Sequence, residues 1–342
     1  MVEELVLITG VSGFIGHAVL RKTLESGYRV RAIVRKELNI EQTQKALANP
    51  ELISKVEFSV VADLAAPNAF ANSMLGVSHI IHVASPLPSP SDDYERDYFR
   101  PAIDMTVNIL KAAHETATVR RVVITSSMAA YIPAMDFVAG ELQKKVYRAD
   151  DKICHYDIKT PFNHPLFAYA ASKSMALDAA EEFLAKEKPN FDIIFLVPSM
   201  VLGEDPLAIT AKDVTTSSNG ALMRLLLGEP GRPTLGSAVS LQDVAALHVL
   251  ALDSKVPAGR YMVASGRAEG TNFLDAFNIV RKHFPAASEK VFAKQGEMPI
   301  VKINVDTSKT EKAFGFTFQS YEEQVKSVVS SYLSLLKKEG KY

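Results

Sequence analysis

The strongest constraint on this chain lies at its start. An apolar run, Leu5-Val6-Leu7-Ile8, ends in Thr9 and opens directly onto glycines at positions 10, 13 and 16. Glycines this close together also occur in plain turns. Here, however, an apolar strand pattern precedes them and a helical pattern (Val19, Leu20 and Leu24, with Gly27 as a stop) follows. That is the context in which a glycine turn cradles a dinucleotide. Gly10 allows the tight turn, Gly13 lets the backbone approach a pyrophosphate, and Gly16 lets helix and strand pack closely. Ser12, Phe14 and Ile15 belong to the same turn, where unpaired N–H groups and the positive end of the helix dipole favour phosphate.

The same alternation continues along the chain. Apolar strand patterns cover residues 29–34, 56–61, 79–83, 121–125 and 191–197, with helical patterns near 41–48, 101–116 and 167–186. Strands apolar on both faces and joined by helical crossovers predict a parallel sheet covered on each side, a doubly wound α/β fold. After Pro198 the pattern changes to a stretch rich in Gly, Pro, Ser and Thr, with one helix near 220–227. Ser240-Leu241-Gln242-Asp243 reads as a capping box with Asp in place of Glu, opening a helix to about Leu252. A strand over 260–264 and helices over 271–283 and 321–337 follow. The expected division is a nucleotide-binding Rossmann domain over 1–202, with return segments near 238–265, and a smaller substrate lobe made mainly of 203–342.

Composition narrows the function classes. The 342 residues are 47% hydrophobic, and 38 Lys and Arg balance 39 Asp and Glu, so charge gives no reason to expect nucleic acid or an anionic membrane as partner. The single Cys154 cannot form an internal disulfide and fits a reducing compartment. No apolar run approaches the ~20 residues a bilayer span needs, and no basic segment precedes an apolar stretch at the start. The eight histidines form no ligand cluster. The expectation is a soluble cytoplasmic protein, monomer or homodimer, with no metal and a small molecule as partner.

The end of the second strand lies beside the adenine ribose in such a unit. There this chain places Arg35 and Lys36, two cations suited to a 2′-phosphate, so NADP(H) is preferred over NAD(H). Such a pair can equally be a solvated surface feature, and the nearby Glu37 could serve a ribose hydroxyl.

Carbonyl reduction also needs an acid that delivers a proton to oxygen. Of eleven tyrosines, only Tyr169 has a lysine four residues on, Lys173, one helical turn away. An ammonium there can stabilise the phenolate and lower a phenol whose reference pKa is ~10. Thr125-Ser126-Ser127 closes the fifth strand, the end at which ligands collect in open α/β sheets. Ser127 is the expected hydroxyl for the substrate carbonyl, with Ser126 toward the cofactor. Taken alone, the serines read as a polar strand cap and the Tyr/Lys pair as an aromatic beside a solvated cation.

The glycine spacing with Phe14-Ile15, the serine pair, Tyr-Ala-Ala-Ser-Lys over 169–173 and Val-Pro-Ser-Met-Val-Leu-Gly over 197–203 carry a family resemblance across nearly the whole chain. The chain resembles the extended short-chain dehydrogenases/reductases, in the dihydroflavonol-reductase-like branch close to fungal NADPH-dependent aldehyde and ketone reductases. The resemblance implies Tyr169 as proton donor and Lys173 as a ligand of the nicotinamide ribose. It also implies Asp63 and Leu64 at the adenine, Val83, Ala84 and Ser85 beside ribose and phosphate, and Pro198 and Val201 along the nicotinamide. Where plant flavonoid reductases carry a polar Asn that reads ring hydroxyls, this chain has Ile132, flanked by Tyr131 and Pro133. An apolar pocket for aldehydes, ketones or keto esters is therefore expected, with walls drawn from 87–90, 131–133, 162–167 and 203–227. Two other classes share the fold. One is a nucleotide-sugar epimerase or dehydratase, which would need a diphosphate clamp from such residues as Arg224, Arg232 and Arg260. The other is a non-catalytic NADP(H)-binding sensor.

Overall fold

The computed structural model describes residues 4–87, 91–266 and 269–342. The chain divides into two compact units. The first comprises Met1–Ala134, Asp150–Val197 and Ala245–Tyr261, and the second Met135–Ala149, Pro198–Val244 and Met262–Tyr342. The second thus takes Met135–Ala149, which the sequence reading leaves in the first domain. The reason is local, since Val146–Tyr147 pairs in parallel with Asn304–Val305.

The first unit is built on strands β1 (Leu5–Thr9), β2 (Arg29–Val34), β3 (Val56–Val60), β4 (His79–His82), β5 (Arg121–Thr125), β6 (Asp192–Pro198) and β7 (Gly259–Val263). They form one seven-stranded sheet in the order β7-β6-β5-β4-β1-β2-β3, and the pairings from β6 through to β3 are parallel. Every residue of β1 and β4 is buried, which explains why these strands read as continuous apolar runs rather than as alternating ones. The helices are α1 (Phe14–Glu25), α2 (Leu38–Leu47), α3 (Pro50–Ser54), α4 (Arg100–His114) and α5 (Pro165–Glu187). Because β2 and β4 flank β1, the chain order reverses beside β1, and the crevice at the carboxyl ends of β1 and β4 is where this topology binds ligands. A π-helical turn, Glu95–Phe99, leads into α4, a feature the period-3.6 pattern does not reveal.

The second unit has no comparable sheet among its described residues. Its strands come in parallel pairs of two or three residues: Met200–Leu202 with Ala238–Ser240, Thr234–Gly236 with Ile300–Lys302, and Asn304–Val305 with Val146–Tyr147. Its core is helical. Val325, Val328, Val329 and Leu333 of the helix Tyr321–Lys338 pack with Leu222 and Met223 of Asn219–Leu226 and with Phe273, Ala276 and Val280. The expected capping box does not form. The Ser240 hydroxyl accepts from the Gln242 N–H at 3.2 Å, and the Asp243 carboxylate accepts from the Gln319 N–H at 2.8 Å. A distant backbone donor takes the carboxylate that the local motif would have used. The helix expected over 271–283 starts only at Asp275.

Candidate active site

The glycine turn has the shape its spacing requires. Gly10 sits at φ +77°, and a Cβ there would lie 2.8 Å from the Ala84 nitrogen, at the exit of β4. A Cβ on Gly16 would lie 2.0 Å from the Gly10 carbonyl oxygen, so helix and strand touch through bare backbone. Gly13 differs, because a Cβ there would meet only the Gly10 oxygen at an ordinary 3.5 Å. Its backbone is the extended N-cap of α1, with no side chain capping the first-turn N–H groups, and Ser12 and Gly13 are exposed. Gly10 and Gly16 are therefore demanded by packing, whereas Gly13 keeps the space before an uncapped helix start clear for an anion.

Strand and helix then bring the proton-handling residues together. Ser127 follows β5 in extended conformation, and its hydroxyl accepts from the Ala129 N–H at 3.1 Å, capping the short turn Met128–Tyr131. The same hydroxyl acts on the Tyr169 phenol, favouring its ionised form. Tyr169 lies in the second turn of α5, whose start is fixed by Pro165 and by His164, the latter accepting from the Leu166 N–H at 3.1 Å. One turn on, Lys173 is buried with its Nζ 5.4 Å from the Tyr169 ring centroid and donates to the Ser85 hydroxyl at 2.7 Å. Burial pushes the Tyr169 phenol up to about 12, opposed by the Ser127 hydroxyl, and brings the Lys173 ammonium down to about 8. The lowering of the phenol expected from Lys173 is thus not produced by the chain's own groups. Desolvation of the phenolate is the dominant influence on the phenol.

The comparisons with known proteins decide the family. Residues 6–264 match the NAD dependent epimerase/dehydratase family. The ketoreductase CTB6 of Cercospora beticola is 36% identical over 353 residues, covering 99% of this chain and 98% of its own length. The ketoreductase sphI of Aspergillus fumigatus is 32% identical over 344 residues, covering 97% and 98%. Yeast methylglyoxal/isovaleraldehyde reductase Gre2, solved in complex with NADPH, superposes with a TM-score of 0.82 at 25% identity over 99% of this chain and 100% of its own. The chain belongs to the NAD-dependent epimerase/dehydratase family. Its members are the extended short-chain dehydrogenases/reductases, and the seven-stranded sheet is their Rossmann fold.

The family's dinucleotide fits the residues present, on the evidence of the cradle at Gly13 and of two further observations. Arg35 and Lys36 are exposed directly after β2 and make no ion pair among the described residues, so both are available to an anion. The Ser126 hydroxyl is buried without a partner at the end of β5. Ser126 lines one cleft with His82, Ala84, Ser85, Thr125 and Lys173, so the ends of β4 and β5 and the middle of α5 face the same space. The Thr125 hydroxyl is paired with His248 Nε2 at 2.7 Å, which leaves Ser126 as the free hydroxyl of the two.

Other expected residues stand apart. Asp63 is exposed, and its carboxylate accepts from the Ala65 N–H, while Leu64 is buried. Asn108 of α4, which the sequence reading did not single out, holds this loop by donating to the Leu64 and Ala66 carbonyls. Pro198 ends β6 and Val201 lies in the strand Met200–Leu202; both belong to the second unit. Of the expected pocket walls, residues 88–90 lie outside the described residues. Tyr131 is not a wall, because it is buried to 1% beneath the Arg260 guanidinium, 5.7 Å from its ring. Arg260 also sits 3.6 Å from Glu181. Phe162 instead packs edge-on against Phe99 and Tyr156, in the cluster that includes Tyr169. Among the described residues no group of three or more His, Cys, Asp or Glu could hold a metal, and no helix is long and apolar enough to cross a membrane.

Proposed function

We propose that this protein is an NADPH-dependent carbonyl reductase acting on aldehydes, ketones or keto esters. Tyr169 is its proton donor, Ser127 orients the carbonyl oxygen, and Lys173 stabilises the phenolate and binds the nicotinamide ribose. The observation that carries the reading is the arrangement of three groups, with one hydroxyl, Ser127, acting on the Tyr169 phenol and a buried ammonium one turn further along the helix. The fungal ketoreductases and Gre2, which the chain resembles over nearly its full length, support the substrate class and the coenzyme.

When bound, the reduced nicotinamide supplies the electron pair and the hydrogen that pass to the carbonyl carbon. The chain's own residues handle the oxygen. A phenol at about 12 is fully protonated at neutral pH, which is the form a donor needs. The alkoxide that develops on the substrate is far more basic than a phenolate, so transfer from Tyr169 runs downhill without a prior shift of the phenol. Ser127 can donate its own proton to the same oxygen while still accepting from the Ala129 N–H. Below about pH 8 Lys173 is an ammonium, so the phenolate left on Tyr169 forms beside a positive charge. Arg35 and Lys36 favour the 2′-phosphate, and Asp63, Leu64, Val83 and Ala84 frame the adenosine half. The balanced charge and single cysteine support a cytoplasmic site of action.

NADPH consumption with a panel of aldehydes and ketones tests the reading. Turnover should fall along a basic limb near pH 8 as Lys173 loses its proton. Tyr169→Phe should cost about 10²–10⁴ in kcat while leaving NADPH affinity, measured by fluorescence titration, close to that of the parent. Undiminished turnover by that variant would refute the assignment.

A further inference from the structure

Beyond the three residues of the proposed reaction, the structure contains a chain of buried and half-buried contacts from the glycine turn to the lysine. Thr9, the last residue of β1, is fully buried. Its hydroxyl oxygen accepts from the Val83 and Ala84 N–H groups, both at 3.2 Å, and lies 2.9 Å from His82 Nδ1. A threonine oxygen has two lone pairs, and the two amides use both, so its proton goes to His82 Nδ1. That places the imidazole proton on Nε2 and makes His82 neutral. Burial, reinforced by the charge of Lys173, holds its pKa down to about 3, in agreement with a neutral ring.

The effect of this knot is to fix the backbone that leaves β4. No regular ladder is available there, because β4 ends at His82 and the next residues run irregularly. The β1 side presses against the same stretch, since a Cβ on Gly10 would lie 3.1 Å from the Ala84 Cα. Immediately after the amides held by Thr9, the Ser85 hydroxyl accepts from Lys173 Nζ at 2.7 Å. The titratable groups against this ammonium are neutral His82 on β4 and Tyr169 on its own helix, and no carboxylate pairs with it among the described residues.

We propose that Ser85 is the hydroxyl that holds the Lys173 ammonium in place and that Thr9, through the Val83 and Ala84 amides, positions Ser85 to do so. Both are positioning residues for the lysine-dependent step, and the assignment rests on the reductase reading for its consequence though not for its geometry. A buried ammonium with no counter-charge depends on every acceptor it has. Removing the Ser85 oxygen takes away an acceptor from the charged form only, which makes that form harder to keep.

The test follows the carbon-13 ε resonance of Lys173 through a pH titration of the full chain, identified by its loss in Lys173→Arg. The parent should titrate near 8, and Ser85→Ala should titrate lower by about one unit. Thr9→Val should give a smaller shift of the same sign, with Thr9→Ala as a second version if the first does not fold. Ser85→Thr and Thr9→Ser keep their hydroxyls and should restore the parent midpoint. In turnover assays the basic limb of kcat should move with the lysine midpoint, without a matching change in KM for the carbonyl. An unshifted midpoint in folded Ser85→Ala would overturn the proposal, and a shift confined to Ser85→Ala would overturn the part given to Thr9. The titration needs no substrate. A chain that reduces no carbonyl would therefore refute the reductase reading and still leave this measurement to decide on Ser85.

Discussion

Strands of the first unit run four to seven residues, and polar side chains, buried or half-buried, gather at their carboxyl ends: Thr9 ending β1, Ser85 after β4, and Thr125 with Ser126 and Ser127 at the end of β5. In the second unit the described strands are two or three residues long, and its buried polar side chains serve another purpose. Asn219 brackets Gly203, accepting from its N–H at 3.1 Å and donating to its carbonyl at 2.7 Å. Thr310 donates to the Met262 carbonyl, Ser265 donates to the Ala238 carbonyl, and Thr271 accepts from the Ala238 N–H. A long parallel ladder satisfies its own amides and frees the polar groups at its ends for a ligand. Short ladders leave amides unpaired, and side chains must pair with them. Hydroxyls at the strand ends of the first unit are therefore candidates for chemistry, although Thr9 among them pairs backbone amides, whereas those of the second unit are structural substitutes.

That contrast can be broken by substitution. The largest effect is expected at Gly16→Ala, because the new Cβ would meet the Gly10 carbonyl at 2.0 Å and backbone cannot give way. A loss of about 3 kcal/mol or more in urea unfolding, together with loss of NADPH binding, is the expected result. Asn219→Ala strands a buried N–H and carbonyl of Gly203 and should cost about 2 kcal/mol while the remaining folded protein still binds NADPH. Equal loss of coenzyme affinity in both variants would erase the distinction.

A third test concerns pH, and the two units should respond with opposite sign. In the first, burial lowers His17 to about 4 and His82 to about 3. The unfolded chain then binds those protons first, so stability falls as pH drops from 6.5 through these values. In the second, burial raises Asp243 to about 6, from an ordinary 3.8, against the opposing bond from the Gln319 N–H. Here the unfolded chain ionises first, so stability is lost as pH rises from 3.8 to 6. Hydrogen exchange at pH 4.5 against pH 7 should show weaker protection in the first unit and stronger protection in the second. Asp243→Asn should add about 1 kcal/mol at pH 7, discounted for partial solvent screening, and remove the second unit's dependence.

Much of this was legible in residue order. The strand–glycine–helix passage at residues 5–25, the five later strand patterns and the Tyr169–Lys173 spacing rest on period and i,i+4 geometry, which neighbouring residues determine among themselves. Ser127 could be chosen because it follows a buried strand by two residues. The second unit was harder to read. Its short strand pairs carry too few residues for an alternation to show, and Val146–Tyr147 meets a partner more than 150 residues away. Ser240-Leu241-Gln242-Asp243 misled for a related reason, since Gln319 takes the carboxylate that the motif assigns to the helix start. Thr9 and Asn108 were missed because a threonine ending a strand and an asparagine inside a helix look ordinary until their backbone partners are seen.

By itself the order of residues determined which segments become strands and helices, that the sheet is parallel, and which end of it collects charge-handling side chains. Those properties follow from periodicity, glycine placement and chirality, all of which act over a few residues. Tertiary structure alone decided the charge states at the centre of the site. Tyr169 and Lys173 stand where burial rather than spacing puts them, and the acceptor that holds the lysine comes from a strand end 88 residues away. Desolvation depends on everything that surrounds a group, and no local pattern of residues encodes it.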